Sequence, residues 1–355
     1  MPAKERRQVV AYNLWPKQIK AMDLLWVEGV NQLLYGGAAG PGKSKFLRAL
    51  AFHCSRVYPG ARIAIFRDNY TQLQKTQIAE WQSEQASLGF DIKDHWRESA
   101  GEWSFPNPYE PGRPTVIEFL HIDQSIGAEK WQSAEFSILL VDESTQIKQE
   151  DLELLFTRVR VNSDLRDLWR RLADEREAEA RKNGMKSKDD IARIRCDWEP
   201  RAVFATNPGG VSHSYFKEGW VDEADKHGGE PWVVENEIVL DGFPTTVRTK
   251  RAFLPAFMTD NPAIDPIQYA ASLSHLGELR KRQLLNGDWS YFVGKAFDML
   301  DEDVHLIDAH WVFDDSPPLE WPRLGGLDFG TADLVLCLEV AEHLDEARAP
   351  FLIEA

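Results

Sequence analysis

Residues 36–46 read GGAAGPGKSKF, set between a short apolar run, QLLY at 32–35, and LRALAFHC at 47–54, which reads as a helix. From Gly37 the segment fits G-x-x-x-x-G-K-[ST] without a mismatch. Gly37, Gly40 and Gly42 let the backbone curl so that successive N–H groups point inward, and the helix that follows adds its positive N-terminal end. The stretch is a phosphate cradle. Lys43 is expected to neutralise the β- and γ-phosphates of ATP, with the Ser44 hydroxyl completing a Mg²⁺ shell.

A second stretch gives the cradle a chemistry. SILLVDES, 137–144, is a buried apolar strand ending in Asp142 and Glu143. A carboxylate at a strand tip holds the Mg²⁺ shell, and the next one polarises an attacking water. A kinase must keep water from the γ-phosphate, so a base beside the metal aspartate predicts ATP hydrolysis. Gln18, in LWPKQ, carries an amide whose donor and acceptor suit an adenine edge. FATNPGG, 204–210, ends another strand with Thr206 and Asn207, small polar groups expected to register the γ-phosphate and pass its presence to a moving loop. The same tripeptide also reads as a capped strand end and Asn-Pro turn.

The remaining composition narrows the setting. A chain of 355 residues with 43% hydrophobic residues supports a substantial core and about two domains. No apolar run approaches the ~20 residues of a spanning helix, and the N-terminal segment lacks the apolar core of a signal peptide, so no membrane segment is expected. The net charge of -16 argues against coating nucleic acid by bulk attraction, and any DNA contact must be local. Cys54, Cys196 and Cys337 are far apart with no CxxC pair, which suits a reducing cytoplasm.

Along the chain, NQLLYGG, ARIAIFRD, TVIEFLHI, FSILLVDES and RAVFATNP are strand-like runs, with helical stretches such as 43–57 and 71–88 between some of them. That order predicts an α/β fold, a mostly parallel sheet with helices on both faces. Residues 162–200 are dense in charge of both signs, with Leu165, Leu168 and Leu172 at helical spacing, and predict an inserted helical hairpin turning near Asn183–Gly184. A Pro-rich acidic passage, DDSPPLEWP, falls in a linker at 301–322, and RLGGLDFGTADLVLCLEV then reads as strand, tight turn and strand.

Taken in order, these motifs resemble the large subunit of phage terminase, the ATPase that drives double-stranded DNA into a preformed capsid. LWPKQ matches its adenine motif, GGAAGPGKS its Walker A, EKWQSAEFSILLVDESTQ the lead into Walker B, and ATNPGGVSHSYF its coupling motif; FLPAFMTDNPAI and LRKRQLLNGDW are similar to segments that close its ATPase region. The resemblance implies an additional-strand (ASCE-type) P-loop NTPase over residues 1–300, with Lys43 and Ser44 on phosphate and metal, Asp142 on Mg²⁺, Glu143 activating water, and Thr206 and Asn207 coupling hydrolysis to motion. It also implies a homo-oligomeric ring in the host cytoplasm, docked transiently on the procapsid, with viral double-stranded DNA, the portal protein and the small terminase subunit as partners. In such rings an arginine reaches the neighbour's γ-phosphate; Arg158 or Arg160 in TRVRV, or Arg67 in IFRDNY, are the candidates. The family carries a C-terminal nuclease of ribonuclease-H-like fold, whose first metal carboxylate Asp328 matches. Residues 329–355 are too few for the other carboxylates, so 323–355 is expected to be an incomplete nuclease domain without that activity. Two other readings are a two-lobed helicase, for which no Gln- and Arg-rich motif follows residue 210, and a nucleotide-gated capsid or portal scaffold without turnover.

Overall fold

Apolar runs too short for helices alternate with longer amphipathic stretches, and in the computed structural model they form strands and helices in that order. Residues 12–122, 127–240 and 243–290 are described, together with the backbone of strands at 323–329, 335–341 and 351–354. The chain divides into two units, Met1–Val293 and Gly294–Ala355.

The strands of the first unit are β1 (Gln32–Gly37), β2 (Arg62–Arg67), β3 (Trp96–Arg97), β4 (Glu102–Phe105), β5 (Thr115–His121), β6 (Ile138–Asp142), β7 (Ala202–Thr206), β8 (Trp232–Leu240) and β9 (Phe243–Ala256). They make one nine-stranded sheet in the order β3-β4-β5-β2-β6-β7-β1-β9-β8. From β5 to β9 every neighbouring pair is parallel, and the outer pairs are antiparallel. β7 lies between β1 and β6, with Gly36 opposite Thr206 and Asp142 opposite Ala205. This inserted strand is the additional strand of the expected class.

The helices are α1 (Pro16–Trp26), α2 (Lys43–Val57), α3 (Tyr70–Leu73), α4 (Ala79–Ser87), α5 (Ile92–His95), α6 (Gln149–Phe156), α7 (Ser163–Lys182), α8 (Lys188–Arg195), α9 (His213–Phe216), α10 (Asp222–Lys226), α11 (Pro266–Ser272) and α12 (Glu278–Asn286). Because successive strand residues face opposite ways, the central strands feed two cores. Leu33, Tyr35, Ile63, Ile65, Leu140 and Val203 pack with α1, α2, α4 and α7. Leu34, Ala64, Phe66, Leu139, Val141 and Phe204 pack with α6, α9 and α10. Burial on both faces explains why these strands read as unbroken apolar runs. Leu140 is fully buried, so Leu140→Ala should lose about 2–5 kcal/mol of stability, read as a lower urea midpoint at unchanged slope.

The inserted hairpin is α7 and α8. Asn162 caps α7 by accepting the Leu165 N–H at 3.0 Å, and Gly184 turns the chain at φ +89°. Leu165, Trp169 and Leu172 face the core, and the Trp169 indole donates to the Pro59 carbonyl at 2.9 Å. Much of its charge is paired internally: Arg195 with Asp174, Glu177 and Asp197, and Arg181 with Glu177.

The β8–β9 hairpin was not foreseen. Its distal half is exposed at Val239 and Phe243, while residues 251–256 of β9 pair in full with β1. Pro255 is tolerated there for a geometric reason. The Lys250 and Ala256 carbonyls point to the β1 side, so the Pro255 nitrogen faces the other edge, beyond Arg251 where β8 pairing ends.

The second unit is an antiparallel meander of β10 (Arg323–Phe329), β11 (Val335–Ala341) and β12 (Phe351–Glu354). Asp328 stands opposite Leu336, one residue before the end of β10; its expected metal role rests on side chains outside the described residues, as does the linker at 301–322. Among the described residues no helix is long and apolar enough to cross a membrane.

Candidate active site

The carboxyl ends of β1, β2, β6 and β7 gather the sequence motifs at one edge of the sheet, the edge where open α/β sheets bind ligands. The cradle lies between β1 and α2. Gly42, at φ +84°, is the N-cap of α2 and offers no side-chain cap. The first intrahelical bond runs from the Phe46 N–H to the Gly42 carbonyl at 2.9 Å, which leaves the N–H groups of Lys43, Ser44 and Lys45 without a helical acceptor. Any Cβ at Gly42 would strike the Trp15 ring, and one at Gly37, at φ +141°, would strike the Ala256 carbonyl. A lysine at the first position of a helix sits at the positive end of the dipole, an arrangement that an anion would turn to advantage. Residues 39–45 with Glu143 and Asn207 line a cleft of about 270 Å³.

Lys43 is almost fully buried. Its ammonium donates to the Ala38 carbonyl at 2.5 Å and to Asn207 Oδ1 at 2.7 Å. Burial pulls its pKa down to about 8, against the opposing fields of Glu143 and Asp142. Glu143 faces the same space. Its backbone is left-handed at φ +51°, a conformation that costs a non-glycine residue about 1–3 kcal/mol and gathers at functional positions. Burial, and then the neighbouring Asp142, raise its carboxyl above the usual carboxylate range, with Lys43, Arg67 and Arg280 opposing. Asn207 Nδ2 stands 3.5 Å from each Glu143 oxygen. One amide thus spans cation and base.

Asp142 is held from both sides. The Ser44 hydroxyl donates to Oδ1 at 2.9 Å, while Arg67 Nη1 and Gln77 Nε2 donate to Oδ2 at 2.7 and 2.8 Å. Arg67 Nη2 also lies 4.0 Å from Glu143. Gln77 belongs to a π-helical turn, Gln74–Ile78, between α3 and α4, the kind of local widening that re-aims a side chain at functional sites. Its Oε1 accepts from Arg48 at 3.3 Å, and Arg48 is locked by a two-bond pair with Glu84. A hydroxyl and a carboxylate oxygen side by side are hard donors that suit Mg²⁺ completed by phosphate and water. Among the described residues no cluster of three or more His, Cys, Asp or Glu side chains offers an all-protein cage. Arg67 Nε, Asp68 Oδ1 and Ser144 Oγ are buried here without partners among the described residues, hydrogen-bonding capacity that ordered water or a ligand would satisfy.

Several expected residues take different places from those foreseen. Thr206 faces Thr145, with bonds of 3.2 Å to its N–H and 2.7 Å to its hydroxyl; it is Asn207 that reaches Lys43 and Glu143. Gln18 is completely buried, and its amide is used within the protein. Oε1 accepts the Trp15 N–H at 3.0 Å and Nε2 donates to the Gly42 carbonyl at 3.1 Å, so it ties α1 to the cradle. Arg67, one of the three candidate arginines, is spent on this chain's own Asp142 and Glu143. Arg158 and Arg160 flank Val159, which bridges Phe136 ahead of β6, at the opposite end of that strand from Asp142. Arg158 donates to the Gln132 carbonyl and Arg160 pairs with Glu135 at 3.0 Å. A larger cleft of about 590 Å³ opens beside Arg160, but its arginines Arg62, Arg113 and Arg160 are neutralised by Glu118, Glu110 and Glu135.

Sequence reasoning passed over Gln77 and Thr145, and it gave no residue role to the segment that closes on the cradle from behind, although FLPAFMTDNPAI and LRKRQLLNGDW lie in it. In that segment Asn261 Nδ2 donates to the Gly40 carbonyl at 2.6 Å, and the Leu284 carbonyl of α12 accepts the Ala39 N–H at 2.7 Å. Thr145 had a visible signal, its place two residues after Glu143.

No family model and no curated protein matches the chain. Among solved structures it is similar to the large terminase of a thermophilic bacteriophage. One crystal form matches at 13% identity and a TM-score of 0.53, covering 97% of this chain and 69% of that one. The ADP complex of the same terminase matches at 12% and 0.52, covering 96% and 69%. Its complex with ATP-gamma-S matches at 12% and 0.50, covering 94% and 65%. The chain therefore spans about two thirds of that terminase's length, and likeness at such identity shows the fold.

Proposed function

From the fold of a phage large terminase and the site it carries, we propose that this chain is an ATP-hydrolysing motor that moves double-stranded viral DNA into a procapsid. One observation carries the reading: Lys43 at the cradle and Glu143 two strands away face each other across Asn207. In this reading the N–H groups from Lys43 onward and the Lys43 ammonium bind the β- and γ-phosphates. Water attacks the γ-phosphorus and its proton passes to the Glu143 carboxylate. The bond from that phosphorus to the bridging oxygen breaks, and the oxygen leaves with ADP while Lys43 meets its charge. Ser44 and Asp142 would hold Mg²⁺, which when bound neutralises phosphate oxygens. A base whose pKa is raised by burial is a stronger proton acceptor, and Arg67 and Gln77 keep Asp142 oriented.

The partners follow the same reading: a ring of this chain on a portal, with the small terminase subunit delivering DNA. Arg158 and Arg160 lie away from their own site, so either would act only on a neighbour's nucleotide. Asp328 is the matching position for a nuclease metal ligand.

The test is the ATPase rate with and without double-stranded DNA. Stimulation by duplex supports the motor. Turnover indifferent to duplex but raised by a forked substrate that becomes unwound favours a helicase, and no turnover despite nucleotide binding favours a scaffold.

A further inference from the structure

We propose that Arg280 is a phosphate-contacting residue of this chain's own site: its guanidinium leaves the Pro208 carbonyl to bind the terminal phosphate of a nucleoside triphosphate, so that α12 distinguishes tri- from diphosphate. This rests on the nucleotide reading above.

The geometry of α12 carries the proposal. At Leu284 the helix is fastened to the cradle through the Ala39 N–H. One turn earlier, Arg280 Nη1 reaches the loop after β7, 3.3 Å from the Pro208 carbonyl and 3.1 Å from Gln283 Oε1 of its own helix. Pro208 directly follows Asn207, whose amide contacts Lys43 and approaches Glu143. Arg280 therefore stands against the loop after β7, on a helix that Leu284 fastens to the cradle, and its positive field acts on the Glu143 carboxyl. The bond to Pro208 is long and to a neutral acceptor. Among the described residues Nε and Nη2 have no partner, and the side chain is exposed. A guanidinium so weakly held exchanges a carbonyl for a phosphate oxygen with a gain, because bonds between two charged groups are stronger. Gly209 makes room, since a Cβ there would lie 3.1 Å from Arg280 Nη1.

The contact would separate nucleotides by their last phosphate, and on hydrolysis it would be lost with the departing phosphate, releasing Arg280 to Pro208. The experiment is calorimetric binding of ADP and of the β,γ-imido analogue of ATP to the unaltered chain and to Arg280→Gln, Arg280→Lys and Lys43→Ala. Arg280→Gln should weaken the triphosphate analogue by about 10- to 100-fold and leave ADP within about twofold, with an unchanged ligand-free melting temperature. Arg280→Lys should recover part of the loss, and millimolar guanidinium should restore part of the ATPase rate of Arg280→Gln. Equal weakening of both nucleotides would make Arg280 a prop for the Pro208 loop and overturn the proposal, as would no change. If the unaltered chain bound neither nucleotide, or Lys43→Ala bound both normally, the nucleotide reading itself would fall, and this proposal with it.

Discussion

Glu143→Gln binds ATP as the unaltered chain does and turns it over about 10²–10⁴ times more slowly, the range expected when a positioned general base is removed. The amide keeps the shape of the carboxylate, so the left-handed backbone at Glu143 and its approach to Asn207 are preserved while the proton acceptor is lost. A group with its carboxyl raised by burial and by Asp142 also fixes the direction of the pH dependence. The rate of the unaltered chain climbs as pH rises through that raised value, because only the ionised form accepts the proton. Single-turnover rates from pH 4 to 7 on both proteins check this. A variant that keeps the unaltered rate would show that some other group takes the proton.

Lys43→Ala removes the other half of the pair and should lower ATP affinity by about 100-fold or more, since two or more charge-assisted contacts worth about 1.5–3 kcal/mol each go with the ammonium. The mechanism predicts a second signature in the unaltered chain. With the cleft free, burial holds Lys43 at about 8, and a bound phosphate chain raises that value by favouring the charged form. Affinity is therefore full below about 8 and falls as pH climbs past it, by up to about tenfold per unit. Titrations at pH 7, 8 and 9 with the unaltered chain should show that slope, and Lys43→Ala should not.

The parts of this fold that were legible in the sequence share one physical property. β1, β2, β6 and β7 are buried on both faces, so each carries a continuous apolar run, β5 is broken only by a buried Glu118 paired with Arg62, and the cradle needs glycine where no Cβ fits. β8 and the outer half of β9 lacked that signal. Their residues 232–250 mix Val, Glu, Thr and Arg because much of the hairpin is exposed, and Pro255 reads as a strand breaker until its nitrogen is seen to face an unpaired edge. Within the site, Lys43, Ser44, Asp142 and Glu143 were legible because local spacing sets them. Gln77 was not: it lies in what reads as one amphipathic helix over 71–88, and only the π turn rotates it onto Asp142. Arg280 was hidden for a different reason, since its nearness to Asn207 depends on how α12 docks more than seventy positions downstream.

The placement of β7 has a mechanical consequence. It is hydrogen-bonded along both edges and buried throughout, so it behaves as a clamped beam that neither slides nor bends when the load at its end changes. Displacement is left to the loop that follows, where Gly209 and Gly210 carry consecutive positive φ angles; its bonds to Lys43, Thr145, Arg280 and His213 must exchange for it to move, and two residues of extended chain reach about 7 Å from the clamped end. A stroke larger than that would need the rotation of a whole lobe to amplify it.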